Sequence, residues 1–347
     1  MKKVAVIGYG GQGAWHCSQI LKSDVVCLAG IYDIKENRRE AAKNNGIFVY
    51  DSNEAIFADS SVDIVVVATP NDVHEDLVVG AMQSGHHVIC EKPAALSVEI
   101  FDRMVKAQKK SGKRLSVHQN RRWDVDFRAV KSVIGSGEIG DVLRIESRIH
   151  GSRGIPSDWR SEKAPGGGMI FDWGVHLIDQ MLQLIPEKVV SVNCTTTHYT
   201  NQVVDDGFRI ELVFVSGKTA HIEIGTYNFI AMPRFYMQCQ SGSLYLSDWR
   251  ENAKVAKLTC WQEKDVTPVQ NAAGITKTMA PRDSLTLQEY EIERPVSDVH
   301  EFYRNFCAAI DGDCEQLIAN EEVRRVLCVM EAAFLSDERK QIIKTDI

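Results

Sequence analysis

The chain has 347 residues, of which 44% are hydrophobic and 25% charged, and its formal net charge is −7 at pH 7. These values are typical of a globular protein, and the length suggests two domains with a cleft between them. No apolar run is long enough to span a bilayer and no basic block could neutralise a phosphate backbone, so we expect neither a membrane nor a nucleic acid as partner.

The first 120 residues alternate short apolar runs with amphipathic segments. The predicted strands are "KVAVIG", "VVCLAGIYD", "DIVVVATP", "HHVICEK" and "LSVHQ", with helices over residues 14–22, 35–45, 73–84 and 97–111. Near-continuous hydrophobicity is typical of strands that are buried on both faces of a parallel sheet. The pattern predicts a doubly wound α/β domain with ligands at the carboxyl ends of its strands.

The character of the chain changes near Arg122. A helical stretch, "DVDFRAVKSVI", is followed by alternating segments such as "LRIESRIH", "FRIELVFVS", "TAHIEIGTY" and "SGSLYLSD". Period-two alternation indicates an antiparallel sheet with one covered face. We therefore predict a first domain over residues 1–122 and an α+β domain over 123–347, with a surface excursion over 267–287 and two helices over 297–339 packed against the second domain.

The nine cysteines are scattered, with no CxxC spacing, and the first residues lack the pattern of a secretory signal. Such cysteines fit a reducing compartment, where most are small buried hydrophobic residues. The sequence therefore predicts a cytoplasmic protein without a disulfide framework or zinc site.

A glycine motif follows the first predicted strand in "VIGYGGQGAW". The predicted phosphate cradle comprises Gly8, Gly10, Gly11, Gln12 and Gly13. In the GxGxxG pattern the glycines allow a tight turn, close approach of a pyrophosphate and close packing of helix and strand. Asp33 ends the next strand, where an acid can bind the ribose hydroxyls. These features predict a dinucleotide site.

The residues around Asp33 bear on the choice of cofactor. A carboxylate at this position would repel the 2′-phosphate of NADP, so NAD is favoured. Arg38 and Arg39 lie nearby in the sequence. They could accept that phosphate or simply form a solvated helix face, so NADP remains an alternative.

Two further strand ends carry candidate cofactor residues. "ATPNDVH" offers Thr69, Pro70, Asn71 and His74, and "CEKPAAL" offers Glu91 and Lys92. Thr69 and Asn71 are expected on the nicotinamide side, although Pro70 and Asn71 could be turn formers and His74 a structural hydrogen bonder. Lys92 suits a cleft but could also be a surface lysine. The following proline could be cis.

The segment "GGGMIFDWGVHLID" places Asp172, His176 and Asp179 at i, i+4 and i+7. On a helix they share one face, so we expect a polar stripe beside a buried apolar face. The three preceding glycines would let a ligand or another backbone approach closely. The alternative makes Asp172 an N-cap and His176 a satisfied interior histidine. Asp179 is expected to be structural.

Three motifs together resemble the glucose-fructose oxidoreductase, inositol dehydrogenase and MocA family over essentially the whole chain. They are GxGxxG, "EKP" at residues 91–93 and "GGGMIFDWGVHLID". "HQNRRWDVDF" at 118–127 and "DWR" at 158–160 look most like its scyllo-inositol dehydrogenase-like subgroup. The resemblance implies a Rossmann domain followed by an α+β domain with a large, mostly antiparallel open sheet that commonly makes homodimer or homotetramer contacts.

The resemblance also implies that Lys92, Asp172 and His176 form the catalytic group. His176 would be the general base, and Lys92 would stabilise negative charge on the same oxygen. Asp172 would orient the substrate or hold His176 in its productive tautomer. The candidate substrate-binding residues are Lys92, Asn120, Arg122, Trp123, Arg160, Asp172 and His176. Arg122 could brace the domain junction instead of binding substrate. The hydride transfer needs no metal ion.

These features favour an NAD(P)-dependent oxidoreductase that converts a secondary hydroxyl of a cyclitol or sugar into a ketone. One alternative enzyme would use NAD transiently to cleave a glycoside, without net redox change. A third possibility is a non-catalytic dinucleotide or sugar sensor. The retained Lys92 and His176 argue against a sensor, because a binding module needs no base beside a hydride acceptor.

Overall fold

A five-stranded parallel sheet forms the first layer of the computed structural model, in which residues 1–261, 266–282 and 284–347 are described. Its strands are β1 (Lys2–Ile7), β2 (Val26–Tyr32), β3 (Ile64–Val67), β4 (His87–Cys90) and β5 (Leu115–Val117). The accompanying helices are α1 (Gly11–Ile20), α2 (Glu36–Asn44), α3 (Asn53–Ala58), α4 (His74–Gln83) and α5 (Val98–Ser111). The strand order β2-β1-β3-β4-β5 confirms the predicted doubly wound domain.

Local sequence signals explain these elements. All four residues of β3 are fully buried, as expected for a strand covered on both faces. The helix α5 begins after Ser97, whose hydroxyl accepts a hydrogen bond from the Ile100 amide at 3.2 Å, and ends at Gly112 with φ of 69°. The short helix α3 was not predicted, since six residues carry little periodic signal.

In the described part of the chain, the second sheet has nine strands in the order β15-β12-β11-β10-β6-β9-β8-β7-β16. The elements of this half are α6 (Val125–Ser136), β6 (Val142–His150), α7 (Val175–Leu184), β7 (Val189–Thr197), β8 (Gly207–Phe214), β9 (Thr219–Gly225), β10 (Phe235–Cys239), β11 (Gly242–Leu246), β12 (Ala253–Leu258), β13 (Val269–Asn271), β14 (Gly274–Thr276), β15 (Leu287–Ile292), α8 (His300–Asp311), α9 (Asn320–Arg339) and β16 (Ile343–Lys344). The β6–β9 pair is parallel and the other neighbouring pairs are antiparallel. The predicted mostly antiparallel open sheet is confirmed.

The second sheet has one covered face and one open face. Along β9, Ala220, Ile222 and Ile224 are buried, while His221 and Glu223 lie on the other face. The helices α7 and α9 pack on the covered side, against β9 and β7 respectively. This is the alternation that the sequence predicted.

The two tail helices form as predicted but do not pack only against the second domain. From α8, the Tyr303 hydroxyl lies 2.6 Å from His16 Nδ1 in the first domain. From α9, the Glu331 carboxylate accepts a hydrogen bond from the Val98 amide at 2.8 Å. The tail therefore joins both domains, and the boundary at residue 122 stays a prediction from sequence.

The predicted surface excursion over residues 267–287 contains the exposed hairpin β13–β14, and its last residue begins β15. Residue 283 lies outside the described residues. No helix within the described ranges is both long and apolar enough to cross a membrane. All nine cysteines belong to the described ranges, and each is a free thiol.

Candidate active site

The candidate active site lies where β4 ends beside a single π turn (Ile170–Gly174) that leads into α7. The Lys92 ammonium donates to the Asp172 carbonyl oxygen at 3.0 Å and to its Oδ1 at 3.4 Å. Arg160 Nε lies 3.2 Å from Asp172 Oδ2. Burial raises the pKa of Asp172, but the two cations outweigh it and hold that pKa below its usual value. The carboxylate is therefore ionised and fixed between Lys92 and Arg160.

His176 lies in the first turn of α7 and is only 4% exposed. Its Nδ1 is buried and has no hydrogen-bond partner among the described residues. Burial, reinforced by the positive charges of Lys92 and Arg121, lowers the pKa of His176 well below its usual value. The imidazole is therefore neutral at neutral pH and can accept a proton.

The predicted polar stripe on this helix is wrong. Every residue of α7 except Gln183 is buried, because the helix packs against both α9 and the second sheet. The interior position of His176 agrees with the structural alternative, but its unpartnered Nδ1 does not agree with a satisfied histidine. Asp179 is structural, as predicted, because its carboxylate is taken up by Arg122.

The structure also narrows the role of Asp172. Its carboxylate contacts Lys92 and Arg160, and it makes no hydrogen bond to His176 within the described residues. The expectation that Asp172 fixes the tautomer of His176 is therefore wrong. The N-cap alternative is wrong as well, because the Asp172 amide already donates within the turn, to the Gly168 carbonyl at 3.0 Å.

The three consecutive glycines are required by contacts within the chain. A Cβ on Gly167 would lie 2.3 Å from the Arg160 carbonyl oxygen, and one on Gly168 would lie 2.2 Å from the Asp205 carboxylate. The sequence predicted that either a ligand or another segment of backbone approaches these glycines. The structure shows that other segments of the chain approach them. This close approach brings the segment that carries Arg160 against the turn that carries Asp172.

Asn71 joins the two domains at the edge of this site. It is 4% exposed, and its Nδ2 donates to the Gly166 carbonyl at 3.2 Å. Thr69 Oγ1 is buried without a hydrogen-bond partner among the described residues, so it remains a candidate for a bound ligand. Pro70, with φ of −58°, forms the turn between them. Asn71 therefore acts at least as a positioning residue for the glycine segment.

Arg122 and Trp123 brace the domain junction. The Arg122 guanidinium bonds Asp179 at 2.6 and 2.8 Å and Glu322 at 2.8 Å. Trp123 is 8% exposed, and its Nε1 donates to Glu301 at 3.0 Å. Of the two roles considered for Arg122, the structure shows bracing, and substrate contact by either residue stays a prediction.

Glu91 lies at the centre of a buried cluster that no sequence motif indicates. Its Oε1 lies 2.8 Å from both His16 Nε2 and His118 Nδ1, and it accepts from Gln12 Nε2 at 3.2 Å. Because His16 Nε2 donates to this carboxylate, Nδ1 accepts from the Tyr303 hydroxyl. Burial would raise the pKa of Glu91, but the two histidines hold it well below its usual value. Through these contacts Glu91 supports the strand end that carries Lys92, and contact between Glu91 and the cofactor stays a prediction.

The ligand atoms of His16, Glu91 and His118 lie within 4.8 Å of one another, a spacing that a metal ion could use. The hydrogen bonds from His16 and His118 to Glu91 explain why these three side chains lie together. That catalysis needs no metal stays a prediction. No sequence pattern indicates the cluster, because His16 lies within α1 whereas Glu91 and His118 follow β4 and β5.

His74 is wholly buried, and both of its ring nitrogens face backbone carbonyl oxygens. Its Nδ1 lies 3.1 Å from the Pro93 carbonyl oxygen and its Nε2 lies 3.0 Å from that of Thr69. These contacts agree with the structural alternative, because His74 ties the end of β3 to the turn after β4, and contact with the cofactor stays a prediction. The Lys92–Pro93 peptide bond in this turn is cis.

The glycine motif fits a dinucleotide. A Cβ on Gly13 would lie 1.8 Å from the Gly8 carbonyl oxygen, so only glycine allows α1 to pack against the turn that follows β1. An added Cβ on Gly10 or Gly11 would meet no atom within 4 Å. Open space therefore lies before the first turn of α1, whose free backbone N–H groups suit a phosphate.

The corner around Asp33 contains both an acid and two arginines. The Asp33 carboxylate accepts from the amides of Tyr9 at 2.7 Å and Lys35 at 2.8 Å. Arg39 donates to the Asp33 carbonyl at 2.7 Å, and Arg38 lies 3.5 Å from the Tyr9 carbonyl oxygen. The carboxylate suits ribose hydroxyls and the guanidinium groups suit a phosphate, so the geometry accommodates a nicotinamide cofactor of either type.

Comparison with known proteins places this site in a family context. The chain is similar to a solved NAD-binding protein from Listeria innocua, with 39% identity, a TM-score of 0.96 and coverage of 99% of both chains. It is 28% identical over 348 residues to scyllo-inositol 2-dehydrogenase (NADP(+)) IolW of Bacillus subtilis, covering 98% of this chain and 95% of the relative. It is 32% identical over 194 residues to myo-inositol 2-dehydrogenase of Thermotoga maritima, covering 55% of this chain and 57% of the relative.

Several curated relatives match only one part of the chain. The alignment spans about half of their length, for example 51% of an oxidoreductase of Schizosaccharomyces pombe at 35% identity. The family description "Oxidoreductase family, NAD-binding Rossmann fold" matches residues 2–119, and "GFO/IDH/MocA C-terminal domain" matches residues 127–245. Because both halves match in the order that the three motifs indicated, the resemblance is confirmed, and the chain belongs to the GFO/IDH/MocA family of oxidoreductases.

Proposed function

We propose that the protein is an NAD(P)-dependent dehydrogenase that reversibly oxidises a secondary hydroxyl of a cyclitol or sugar to a ketone. The observation that carries this proposal is the meeting of Lys92, Asp172 and a neutral His176 at the carboxyl edge of the dinucleotide-binding sheet. Two relatives named as inositol dehydrogenases support a polyol substrate.

The residues present divide the chemistry among them. His176 takes the hydroxyl proton as general base, because its imidazole is neutral. Lys92 donates a hydrogen bond to the same oxygen and stabilises the negative charge that develops there. Asp172 holds the Lys92 ammonium and accepts from a neighbouring substrate hydroxyl. A bound nicotinamide supplies the acceptor for the hydride that leaves the carbinol carbon.

NAD is proposed as the preferred cofactor. The Asp33 carboxylate would repel a 2′-phosphate, whereas Arg38 and Arg39 could pair with it, and one relative is named for NADP(+). We expect a higher kcat/KM with NAD than with NADP. In Asp33→Ser we expect the ratio of these two kcat/KM values to fall at least tenfold. An equal or stronger preference for NAD in that variant would show that Asp33 does not select the cofactor.

The test of the main proposal is the absorbance of reduced nicotinamide with NAD or NADP and a panel of inositols, aldoses and sugar acids. We expect turnover on a polyol that falls by about 10²–10⁴ in His176→Ala, the usual contribution of a general base. His198→Ala, which removes an exposed histidine outside the site, is the matched control.

Two other results would replace this proposal. Cleavage of a glycoside without accumulation of reduced cofactor would indicate the enzyme without net redox change. Tight dinucleotide binding without turnover on polyols or glycosides would indicate a sensor.

We also propose a homodimer or homotetramer formed through the open face of the second sheet. On this face Arg148, Glu146, Arg209 and Glu223 form ion pairs, so a two-fold arrangement can place arginines opposite carboxylates. Analytical ultracentrifugation is expected to show the oligomer and its dissociation in Arg209→Glu. A wild-type monomer at micromolar concentration would contradict this.

A further inference from the structure

A second space lies beside the proposed active site. It is a hollow of about 430 Å³ between the two domains, within the size range of small-molecule sites. Its walls include Trp15 of the first domain and Trp123 and Trp249 of the second. Neither the catalytic group nor the glycine cradle lines it. The hollow is therefore distinct from the place where the hydride is transferred.

A short chain of aromatic rings connects the hollow with the catalytic base. The ring centroids of His176 and Trp173 are 5.9 Å apart, and those of Trp173 and Trp249 are 6.2 Å apart. One indole thus separates the base from the wall of the hollow. The two spaces are therefore one indole apart, a separation of the order of one sugar ring.

Unpartnered polar atoms belong to the residues that line the hollow. Asn120 Oδ1 and Arg121 Nε are both buried without a hydrogen-bond partner among the described residues. Buried polar atoms are normally satisfied, so these two are expected to acquire partners when a ligand binds. One is an acceptor and the other a donor, and a sugar hydroxyl can serve both.

The charges at the hollow favour an anion. Asp124 pairs with Arg121 at 3.1 Å, and Asp126 pairs with Arg234 at 2.8 Å, so both acids are already neutralised. Arg294 also lines the hollow, and it is exposed and makes no hydrogen bond or ion pair with the rest of the described chain. A carboxylate is a natural partner for this guanidinium.

We propose that the hollow is a subsite for a second sugar ring and that the substrate is an acidic disaccharide or glycosylated cyclitol. This inference rests on the proposed dehydrogenase function. The ring to be oxidised occupies the catalytic group, and the second ring packs its apolar face on Trp249 and Trp123. Its hydroxyls reach Asn120 and Arg121, and its carboxylate reaches Arg294.

The experiment compares kcat/KM for a uronic-acid-containing disaccharide, its neutral counterpart and the corresponding monosaccharide. We expect the acidic disaccharide to exceed the monosaccharide at least tenfold. Trp249→Ala is expected to reduce that ratio at least tenfold, and Trp249→Phe to restore part of it. Arg294→Ala is expected to remove the preference for the acidic over the neutral disaccharide.

Two matched controls test whether these effects belong to the hollow. Trp261→Ala removes an exposed indole outside the hollow, which lies under Arg282 at 4.6 Å from its ring centre. Arg339→Ala removes an exposed arginine at the end of α9. Neither control is expected to change the substrate ratios. Circular dichroism and melting temperatures establish that each variant is folded.

The outcomes separate this inference from the proposed function. Turnover of the monosaccharide with no disaccharide advantage and no effect of Trp249→Ala would overturn the subsite and leave the dehydrogenase intact. If no compound is oxidised, calorimetric titration of the acidic disaccharide into the dinucleotide-bound protein decides. Binding that is lost in Trp249→Ala would support the subsite although the proposed function fails, and absence of binding would overturn both.

Discussion

Replacement of Arg122 by alanine is expected to destabilise the fold. The Arg122 side chain is 10% exposed and its partner Asp179 is 3% exposed, with two contacts of 2.6 and 2.8 Å between them. Removing one partner leaves a buried carboxylate without compensation and costs about 3–5 kcal/mol. Because 1 kcal/mol corresponds to about 2 °C in a chain of this size, Tm is expected to fall by about 6–10 °C.

A double variant and a pH series test the cause of this loss. Arg122→Met combined with Asp179→Leu removes both charges and is expected to recover most of the stability, since an apolar pair of similar volume is often neutral. Burial already raises the pKa of Asp179 against the opposing effect of Arg122. Without the arginine this pKa rises further, and the folded state then favours the protonated acid. The loss in Arg122→Ala is therefore expected to be smaller at about pH 5 than at about pH 8.

The assay is thermal and urea unfolding followed by circular dichroism, together with steady-state kinetics of the folded variant. A change in Tm below about 2 °C accompanied by a large rise in KM would refute the reasoning, because it would show that Arg122 binds substrate and does not brace the junction.

Gly13→Ala would place a Cβ 1.8 Å from the Gly8 carbonyl oxygen, so we expect loss of dinucleotide binding by fluorescence titration, and unchanged affinity would contradict the assigned cradle. The positive charge of Lys92 helps to lower the pKa of His176. In Lys92→Met we therefore expect the acid limb of the pH profile of the residual kcat/KM to move to higher pH. An acid limb at the same pH would argue against His176 as the base. Burial raises the pKa of Asp205 to about 7, so the folded state favours its protonated form. Relative to Asp205→Asn, the wild type is therefore expected to lose stability as the pH rises from about 4 to about 8. The same dependence of Tm on pH in both proteins would contradict this.

The first domain could be predicted closely from sequence because its signals are local. Each strand of the parallel sheet is a short apolar run, and α5 has both its Ser97 cap and its Gly112 terminator within the same stretch. The glycine motif likewise falls between one strand and one helix. Such elements need no knowledge of distant residues.

The burial of α7 could not be predicted in the same way. Its spacing of Asp172, His176 and Asp179 is that of an amphipathic helix with a polar face. Tertiary contacts override this pattern, since Arg122 neutralises Asp179 and the preceding π turn separates the environment of Asp172 from that of the helix. The spacing indicated where the site lies, but it predicted an exposed polar face on a helix that is almost wholly buried.

The Glu91 cluster and the packing of the tail depend on residues that meet only in three dimensions. His16, Glu91 and His118 follow one another at long intervals in the sequence, and Tyr303 comes from a helix of the other half of the chain. No periodic or compositional signal links them. Only the fold shows that the strand end bearing Lys92 has a buried anionic support.

The double attachment of the tail has a consequence for domain exchange within this family. Lys2 of the first strand pairs with Asp311 at 2.6 Å, and Tyr303 completes the hydrogen bonds of His16 inside the dinucleotide domain. A chimera that exchanges the second domain therefore also exchanges part of the interior of the first domain. The practical unit for recombination is consequently the dinucleotide domain together with α8, because a junction placed only near residue 122 would separate a buried network from one of its own members.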